Sequence, residues 1–151
     1  MSLLYRYNIV RSPRAVLTLG GRWSHPRPLL VVSVTGPAGT HAVEGLLDTG
    51  ADETVFPEDV ALRIGLSLSS APQGMGVGAT LAGIPLRYGE VSLRISDGIE
   101  RREWRAWVGF TPAKLYRPML GFAGFLQFFT ATFHGDREQV ELSVNALYPG
   151  T

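Results

Sequence analysis

Residues 46–55 read Leu-Leu-Asp-Thr-Gly-Ala-Asp-Glu-Thr-Val, and this stretch decides how the rest of the chain is interpreted. Apolar residues on both sides predict a buried strand before the Asp-Thr-Gly turn and another strand after it. Such a turn holds the carboxylate of Asp48 at the tip of a tight loop. The chain contains one such turn, whereas acid–base chemistry by paired carboxylates needs two. We therefore expect the second loop to come from a second chain.

The composition is that of one folded domain. The chain has 151 residues, of which 45% are hydrophobic and 18% are charged, and its formal net charge is +1. This balance gives no electrostatic reason to expect binding to nucleic acid or to an anionic membrane. Cysteine is absent, which excludes thiol catalysis and thiolate metal sites. No apolar run has the length of a membrane span and the N-terminus lacks an apolar signal region, so we expect a cytoplasmic protein.

Glycine and proline divide the chain into short apolar runs, which is typical of an all-β protein. Helical structure is predicted over residues 57–64, ended by Gly65, and over residues 121–128, where the apolar spacing is helical. Residues 22–28 are predicted to be irregular. The predicted strands are residues 29–35, 41–47, 84–95 with a break near Gly89, 103–110, 129–134 and 139–144, the last two forming a hairpin.

Two further segments carry a recognisable pattern. Residues 116–121 read Tyr-Arg-Pro-Met-Leu-Gly and contain an apolar-apolar-glycine element. Residues 74–80 read Gly-Met-Gly-Val-Gly-Ala-Thr, and their glycines give the backbone the freedom that a moving hairpin needs. A dinucleotide-binding interpretation of these glycines fails, because Ala79 and Leu81 stand where the Gly-x-Gly-x-x-Gly pattern needs its last glycine.

Together these three segments resemble the retropepsins, the single-domain, retroviral type of aspartic protease. The resemblance covers residues 29–144. It implies an all-β fold, a closed β-barrel with one short C-terminal helix and a glycine-rich flap hairpin, and it implies a homodimeric aspartic endopeptidase that acts on a peptide or protein substrate. We divide the chain accordingly into an N-terminal extension at residues 1–28 that contributes a strand to the dimer, a protease domain at residues 29–145 and a tail at residues 146–151.

The resemblance also implies a mechanism. Two Asp48 carboxylates, one from each subunit, would share one proton and activate a water that attacks the peptide bond, with no metal and no cofactor. Thr49 would hydrogen-bond across the dimer, and Gly50 would let the substrate backbone approach closely. The residues that the resemblance assigns to substrate binding are Leu46, Ala51, Asp52, Val55, Gly76, Val77, Gly78, Arg117 and Met119.

One position departs from the retroviral pattern. That pattern has an arginine directly after the apolar-apolar-glycine element, which pairs with the aspartate matching Asp52 and braces the dimer, and here the position is Phe122. We expect the Phe122 ring to pack in the helix-to-core or subunit contact, and Asp52 to be solvated or bonded to another donor. The missing arginine favours an alternative function, a catalytically silent retropepsin-like binding or dimerisation module, whereas the intact Asp-Thr-Gly loop favours the enzyme.

Overall fold

The computed structural model describes residues 1–77 and 83–151, and of Val77 it describes the backbone alone. Within these residues, no helix has both the length and the apolar character needed to cross a membrane. The described residues form one α-helix, α1 at Glu58–Arg63, and twelve strands: β1 Leu3–Arg6, β2 Asn8–Val16, β3 Arg22–Arg27, β4 Leu29–Gly36, β5 Gly39–Leu47, β6 Val55–Pro57, β7 Gln73–Val77, β8 Gly83–Ser96, β9 Arg101–Thr111, β10 Met119–Leu120, β11 Phe129–His134 and β12 Gln139–Val144.

The main sheet closes on itself. Its strand order is β4-β5-β10-β6-β9-β8-β7, and an additional pairing of β4 with β8 joins six of these strands into a barrel. Strand β10 runs parallel to β5 and antiparallel to β6, while β6 runs parallel to β9. Strand β7 lies outside the ring and forms a hairpin with β8. This architecture confirms the predicted all-β closed barrel with a small helix.

Alternating side chains of the barrel strands fill one core. On β8 the inward positions include Val91, Leu93 and Ile95, which are almost fully buried, because successive side chains of a strand point to opposite faces. On β9 the indole of Trp104 is buried against the ring of Phe125, and its Nε1–H donates a hydrogen bond of 3.0 Å to the carbonyl oxygen of Gly124. This contact fixes the segment that follows β10 against the barrel.

The predicted break near Gly89 is wrong, because β8 continues from Gly83 to Ser96. The glycine serves packing instead. A Cβ atom at Gly89 would lie 2.6 Å from Cδ2 of Leu66, so the side chain of Leu66 occupies the space that a larger residue would need. A glycine in a strand interior often marks a site of close approach.

The prediction that residues 22–28 are irregular is also wrong. Arg22–Arg27 is strand β3, which pairs antiparallel with β2 in a separate two-stranded sheet. Gly20 and Gly21 make the turn between them with φ angles of 68° and 84°, values that glycine adopts without strain. Pro26 has no N–H to donate to a neighbouring strand, but a two-stranded sheet gives each strand an unpaired edge where proline is tolerated.

The C-terminal helix predicted over residues 121–128 is shorter and tighter than expected. It consists of a single 3-10 turn at Leu126–Phe128. Gly124 has a φ angle of 87°, which lies in the left-handed region and interrupts a regular helix. Its N–H donates instead to the side-chain Oε1 of Gln127 at 2.7 Å. The helical apolar spacing reflects the burial of Phe125 and Phe129 against Trp104.

The N-terminal residues take part in the core. Strand β1 pairs with β12, and Leu3 lies opposite Leu142. The Leu3 side chain is fully buried. Strand β12 pairs on its other side with β11, as the predicted last hairpin requires. The domain boundaries at residues 28 and 145, and a contribution of the extension to a dimer, stay predictions.

Tyr5 on β1 supplies a test of this packing. Burial, and secondarily the negative charge of Asp97, raises the pKa of the Tyr5 phenol, and its buried hydroxyl has no hydrogen-bond partner among the described residues. Above about pH 10 the unfolded state loses the Tyr5 hydroxyl proton, whereas the folded state keeps it. The contribution of Tyr5 to the free energy of unfolding is therefore constant below pH 10 and falls as the pH rises above it. Replacing Tyr5 by Phe should raise the free energy of unfolding at pH 7 by about 1 kcal/mol, and should reduce the loss of stability above pH 10.

Urea unfolding at pH 7 and at a series of alkaline values measures both effects. The control is Tyr116→Phe, a change on a strongly exposed ring that should leave stability at pH 7 unchanged. If the free energies of unfolding of the wild type and the Tyr5→Phe variant fell in parallel above pH 10, the assignment of a raised pKa to Tyr5 would be wrong.

Candidate active site

The Asp-Thr-Gly loop leaves the end of β5 and is anchored through Asp48. Oδ1 of the Asp48 side chain accepts a hydrogen bond of 2.9 Å from the N–H of Gly50. The backbone carbonyl oxygen of Asp48 accepts one of 3.1 Å from the N–H of Ala51. The N–H of Asp48 donates to the carbonyl oxygen of Leu120 at 3.1 Å. The carboxylate is half-buried. Its backbone and one of its two oxygens are therefore fixed within a loop that is otherwise exposed at Thr49 and Gly50.

The segment after β10 supports this loop from below. The N–H of Phe122 donates to the carbonyl oxygen of Ala51, and that of Ala123 to the carbonyl oxygen of Asp52, both at 2.9 Å. The buried Thr54 completes the connection, because its Oγ1 donates to the carbonyl oxygen of Ala123 at 2.8 Å. The apolar-apolar-glycine element thus lies directly against the Asp-Thr-Gly loop.

Gly121 makes this contact possible. A Cβ atom at this position would collide with the carbonyl oxygen of Glu53 and would lie 2.6 Å from that of Ala51. Both obstacles are backbone atoms, which cannot rotate away as a side chain does. The two backbones pack so closely that only glycine fits.

A cavity of about 590 Å³ opens at the loop. It extends from the Asp48 carboxylate to the β7–β8 hairpin, which forms its opposite wall. The predicted site residues that line it are Asp48, Gly50, Ala51, Asp52, Val55, Gly76 and Met119.

Other predicted site residues lie elsewhere. Arg117 does not line this cavity, and its Nη1 donates to Oε1 of Glu44 at 3.2 Å. Leu46 pairs with Met119 across the β5–β10 ladder, and Thr49 is exposed at the tip of the loop; neither lines the cavity. Gly78 and the side chain of Val77 lie outside the described residues. The roles assigned to these five positions stay predictions.

The cavity also has walls that the sequence interpretation missed. Tyr88 donates its hydroxyl hydrogen to the Glu53 carboxylate, with both carboxylate oxygens 3.0 Å away. Burial, and then this hydrogen bond, raises the pKa of Tyr88. Gly74 leaves room for the ring, since a Cβ atom there would lie 2.5 Å from the Tyr88 hydroxyl. The missed lining residues are Glu53, Met75, Ile84, Leu86 and Tyr88.

The missed residues share a weak sequence signal. Ile84, Leu86 and Tyr88 alternate along β8 and therefore face the same side. Glu53 belongs to the motif itself but has the character of a surface charge when the sequence is considered alone. The described lining carries three carboxylates, on Asp48, Asp52 and Glu53, and no Lys, Arg or His side chain. Among the described residues, no group of three His, Asp or Glu side chains converges in a way that could hold a metal ion.

Phe122 is exposed, with 60% of its surface accessible in the single chain. The expectation that its ring packs between helix and core is therefore wrong, although its backbone N–H bonds the loop. The expectation of a subunit contact stays a prediction. Asp52 is exposed and accepts a backbone hydrogen bond through its carbonyl oxygen rather than pairing with an arginine.

A closed barrel, one Asp-Thr-Gly loop at a cavity, and a glycine packed beneath the loop define a class of protein. The model of the family described as "Aspartyl protease" matches residues 30–120, which is more than half of the chain. The chain therefore belongs to the aspartyl protease family, and its single barrel is of the retropepsin-like type.

Comparison with solved structures returns the EIAV protease complexed with the inhibitor HBY-793. The two chains are 22% identical, the match covers 64% of this chain and 83% of that chain, and the TM-score is 0.49. A search of curated proteins returned no match.

Proposed function

We propose that this protein is an aspartic endopeptidase that works as a homodimer. The observation that carries the proposal is the anchored Asp48 carboxylate at the wall of the cavity, in a chain with one Asp-Thr-Gly loop. A general acid and a general base are both needed to hydrolyse a peptide bond without a covalent intermediate. One loop supplies one carboxylate, so two chains must meet with their Asp48 residues facing each other across a two-fold axis.

The chemistry follows from bringing two carboxylates together. They cannot both ionise cheaply, so the pair holds one proton over a range of pH. The charged carboxylate accepts a proton from a water lying between the two, and the protonated one donates a hydrogen bond to the scissile carbonyl. Water adds to the carbonyl carbon, and the resulting tetrahedral diol collapses as a proton passes to the leaving amine.

The neighbouring residues complete the site. Within the described chain Oδ1 of Asp48 is held by the Gly50 N–H, which orients the carboxylate and leaves Oδ2 to face water or the second carboxylate. Thr49, which is exposed at the tip of the loop, bonds the partner's loop. Ala51, Asp52, Val55 and Met119 contact the peptide, and the β7–β8 hairpin with Gly76 closes over it as a flap.

The alternative is a catalytically silent module that keeps the fold for binding or dimerisation, and Phe122 in place of the bracing arginine favours it. Purified protein incubated with a library of unstructured peptides separates the two, because an endopeptidase produces internal cleavages that mass spectrometry identifies. Intact peptides at every pH between about 3 and 8, the range in which carboxylates and histidine change charge, would support the silent module.

Phe122 gives a test of the dimer. An exposed ring beside the catalytic loop should bury its surface against the partner, so Phe122→Ala should raise the dimer dissociation constant at least about tenfold. Thermal unfolding of the isolated chain should change little, because the ring is 60% exposed there. Sedimentation over a range of concentrations measures the dissociation constant.

The matched control is Leu62→Ala, which truncates a side chain that is 81% exposed on α1. It should leave dimerisation unchanged. Equal dissociation constants for the Phe122→Ala variant and the wild type would show that the ring lies outside the subunit contact.

A further inference from the structure

The N-terminal hairpin carries a charge that differs from the rest of the chain. Residues 8–27, which contain β2, β3 and the turn between them, carry four arginines, Arg11, Arg14, Arg22 and Arg27, and no Asp or Glu. Residues 29–151 contain nine Lys and Arg against 13 Asp and Glu. The overall net charge of +1 therefore conceals a basic arm joined to an acidic barrel.

The hairpin of β2 and β3 is a separate structural unit. Its two strands pair with each other and with no other described strand. Of the residues in these two strands only Ser12 is buried. A two-stranded hairpin on its own is at best marginally stable in water, because it has too little apolar surface to cover itself. Such an arm gains stability when a second surface covers it.

The exposed side chains of the hairpin are those of a binding surface. Trp23 is 60% exposed on β3, Ile9 is 55% exposed on β2, and Leu17 in the connecting turn is 86% exposed. Arg11 and Arg14 are exposed and form no ion pair with any described residue, whereas Arg22 is bonded to Glu138 at 2.7 Å. Tryptophan and arginine together are the residues most enriched among those that dominate binding energy at protein interfaces.

We propose that the β2–β3 hairpin of each chain is a clamp that docks on the acidic barrel of a second copy of the chain. Charge complementarity selects this partner, since the arm is basic and the barrel is acidic. In a two-fold dimer each arm contacts the other barrel, so the contact is made twice. The apolar residues around Trp23 supply affinity, while the arginines orient the approach and speed association. This clamp takes the place of a bracing arginine at Phe122, and the inference rests on the homodimer proposed above.

Two variants test the clamp by sedimentation of the full chain. Trp23→Ala should raise the dimer dissociation constant by about tenfold or more at all salt concentrations. The double variant Arg11→Glu/Arg14→Glu should raise it by at least as much at low salt, and the difference from the wild type should shrink towards 1 M salt, where charges are screened within about 3 Å.

The control is Arg94→Glu/Arg101→Glu, which makes the same charge change on exposed arginines of β8 and β9. Because this change adds negative charge to the barrel and not to the hairpin, it should not raise the dissociation constant by more than about threefold, as scattered surface charges contribute little. Thermal unfolding of each variant confirms that the barrel stays folded.

The outcomes separate the clamp from the dimer itself. A wild-type dimer that cleaves peptides and is unaffected by either hairpin variant would overturn the clamp and leave the proposed function intact. A wild-type chain that stays monomeric and inactive would overturn both. A labelled single-stranded oligonucleotide that binds the wild type, and loses binding in the double arginine variant while dimerisation is unchanged, would assign the arm to nucleic acid and overturn the clamp.

Discussion

Asp48→Asn should abolish peptide cleavage while leaving the fold in place. The amide cannot act as a general base or share a proton, and each subunit of the dimer loses its carboxylate at once. General acid–base catalysis contributes about 10²–10⁴-fold to a rate, so we expect kcat to fall by at least about 10²-fold. The Asn side chain still has an oxygen that can accept the hydrogen bond from Gly50 N–H, now 2.9 Å from Oδ1 of Asp48, so the loop should keep its shape.

Initial rates on a peptide found by the library experiment, together with urea unfolding, measure the two effects. The control is Asp136→Asn, an exposed aspartate in the turn between β11 and β12, which should behave as the wild type. Cleavage by purified Asp48→Asn at an unchanged rate would show that the catalytic assignment is wrong. An unfolded Asp48→Asn protein would contradict the claim that the loop tolerates an amide.

Gly121→Ala should have the largest effect on stability. The added methyl group has no space, because the carbonyl oxygens of Glu53 and Ala51 occupy it. Forcing atoms into a packed site costs about 1–3 kcal/mol, and more where the backbone must move. We therefore expect the free energy of unfolding of this variant to be lower by about 3 kcal/mol. For a chain of this length that loss lowers Tm by about 6–12 °C.

Cleavage should fall with stability in this variant, since the methyl group pushes the Asp48 loop away from the segment that supports it. Calorimetry and initial rates below the Tm of the variant separate the two losses. Gly135→Ala is the matched control, because a Cβ atom there meets no neighbouring atom within 4 Å. A Gly121→Ala protein with wild-type stability would mean that the loop and its support lie further apart than described.

The parts of the fold that depend on local pattern were predictable. The Asp-Thr-Gly loop, the apolar-apolar-glycine element and the strands from Leu29 onward are encoded in short stretches, and alternation or turn residues identify them. The family resemblance joined the Asp-Thr-Gly loop with Met119-Leu120-Gly121, and the hydrogen bonds from Phe122 and Ala123 to the loop give that association its physical basis.

What failed depends on distant partners. The sequence pattern predicts a break at Gly89. In the fold, the side chain of Leu66, which is distant in sequence, occupies the space that a larger residue at position 89 would need. The hydrogen bond between Glu53 and Tyr88 joins residues 35 positions apart, and no sequence periodicity predicts such a pair. The helical spacing of residues 121–128 came from burial against Trp104, while the left-handed Gly124 prevented a helix.

The N-terminal hairpin illustrates a different limit. Its prolines argue against a strand in a central sheet, and only the structure reveals a two-stranded sheet in which they are tolerated. Its basic character was present in the sequence but was hidden by averaging charge over the whole chain. The hairpin and the barrel have opposite charges, and that division becomes meaningful once the two are seen as separate units.

The central claim is that one catalytic centre is built from the Asp48 residues of two chains, and mixing subunits tests it most directly. Wild-type and Asp48→Asn chains are combined in varying proportions at constant total concentration, allowed to exchange, and assayed for the initial rate of cleavage. Only dimers with two wild-type chains are active, so the rate should follow the square of the wild-type fraction and reach about a quarter of the full rate in an equal mixture. A rate that falls in direct proportion to the wild-type fraction would show that each chain acts alone and would contradict the account.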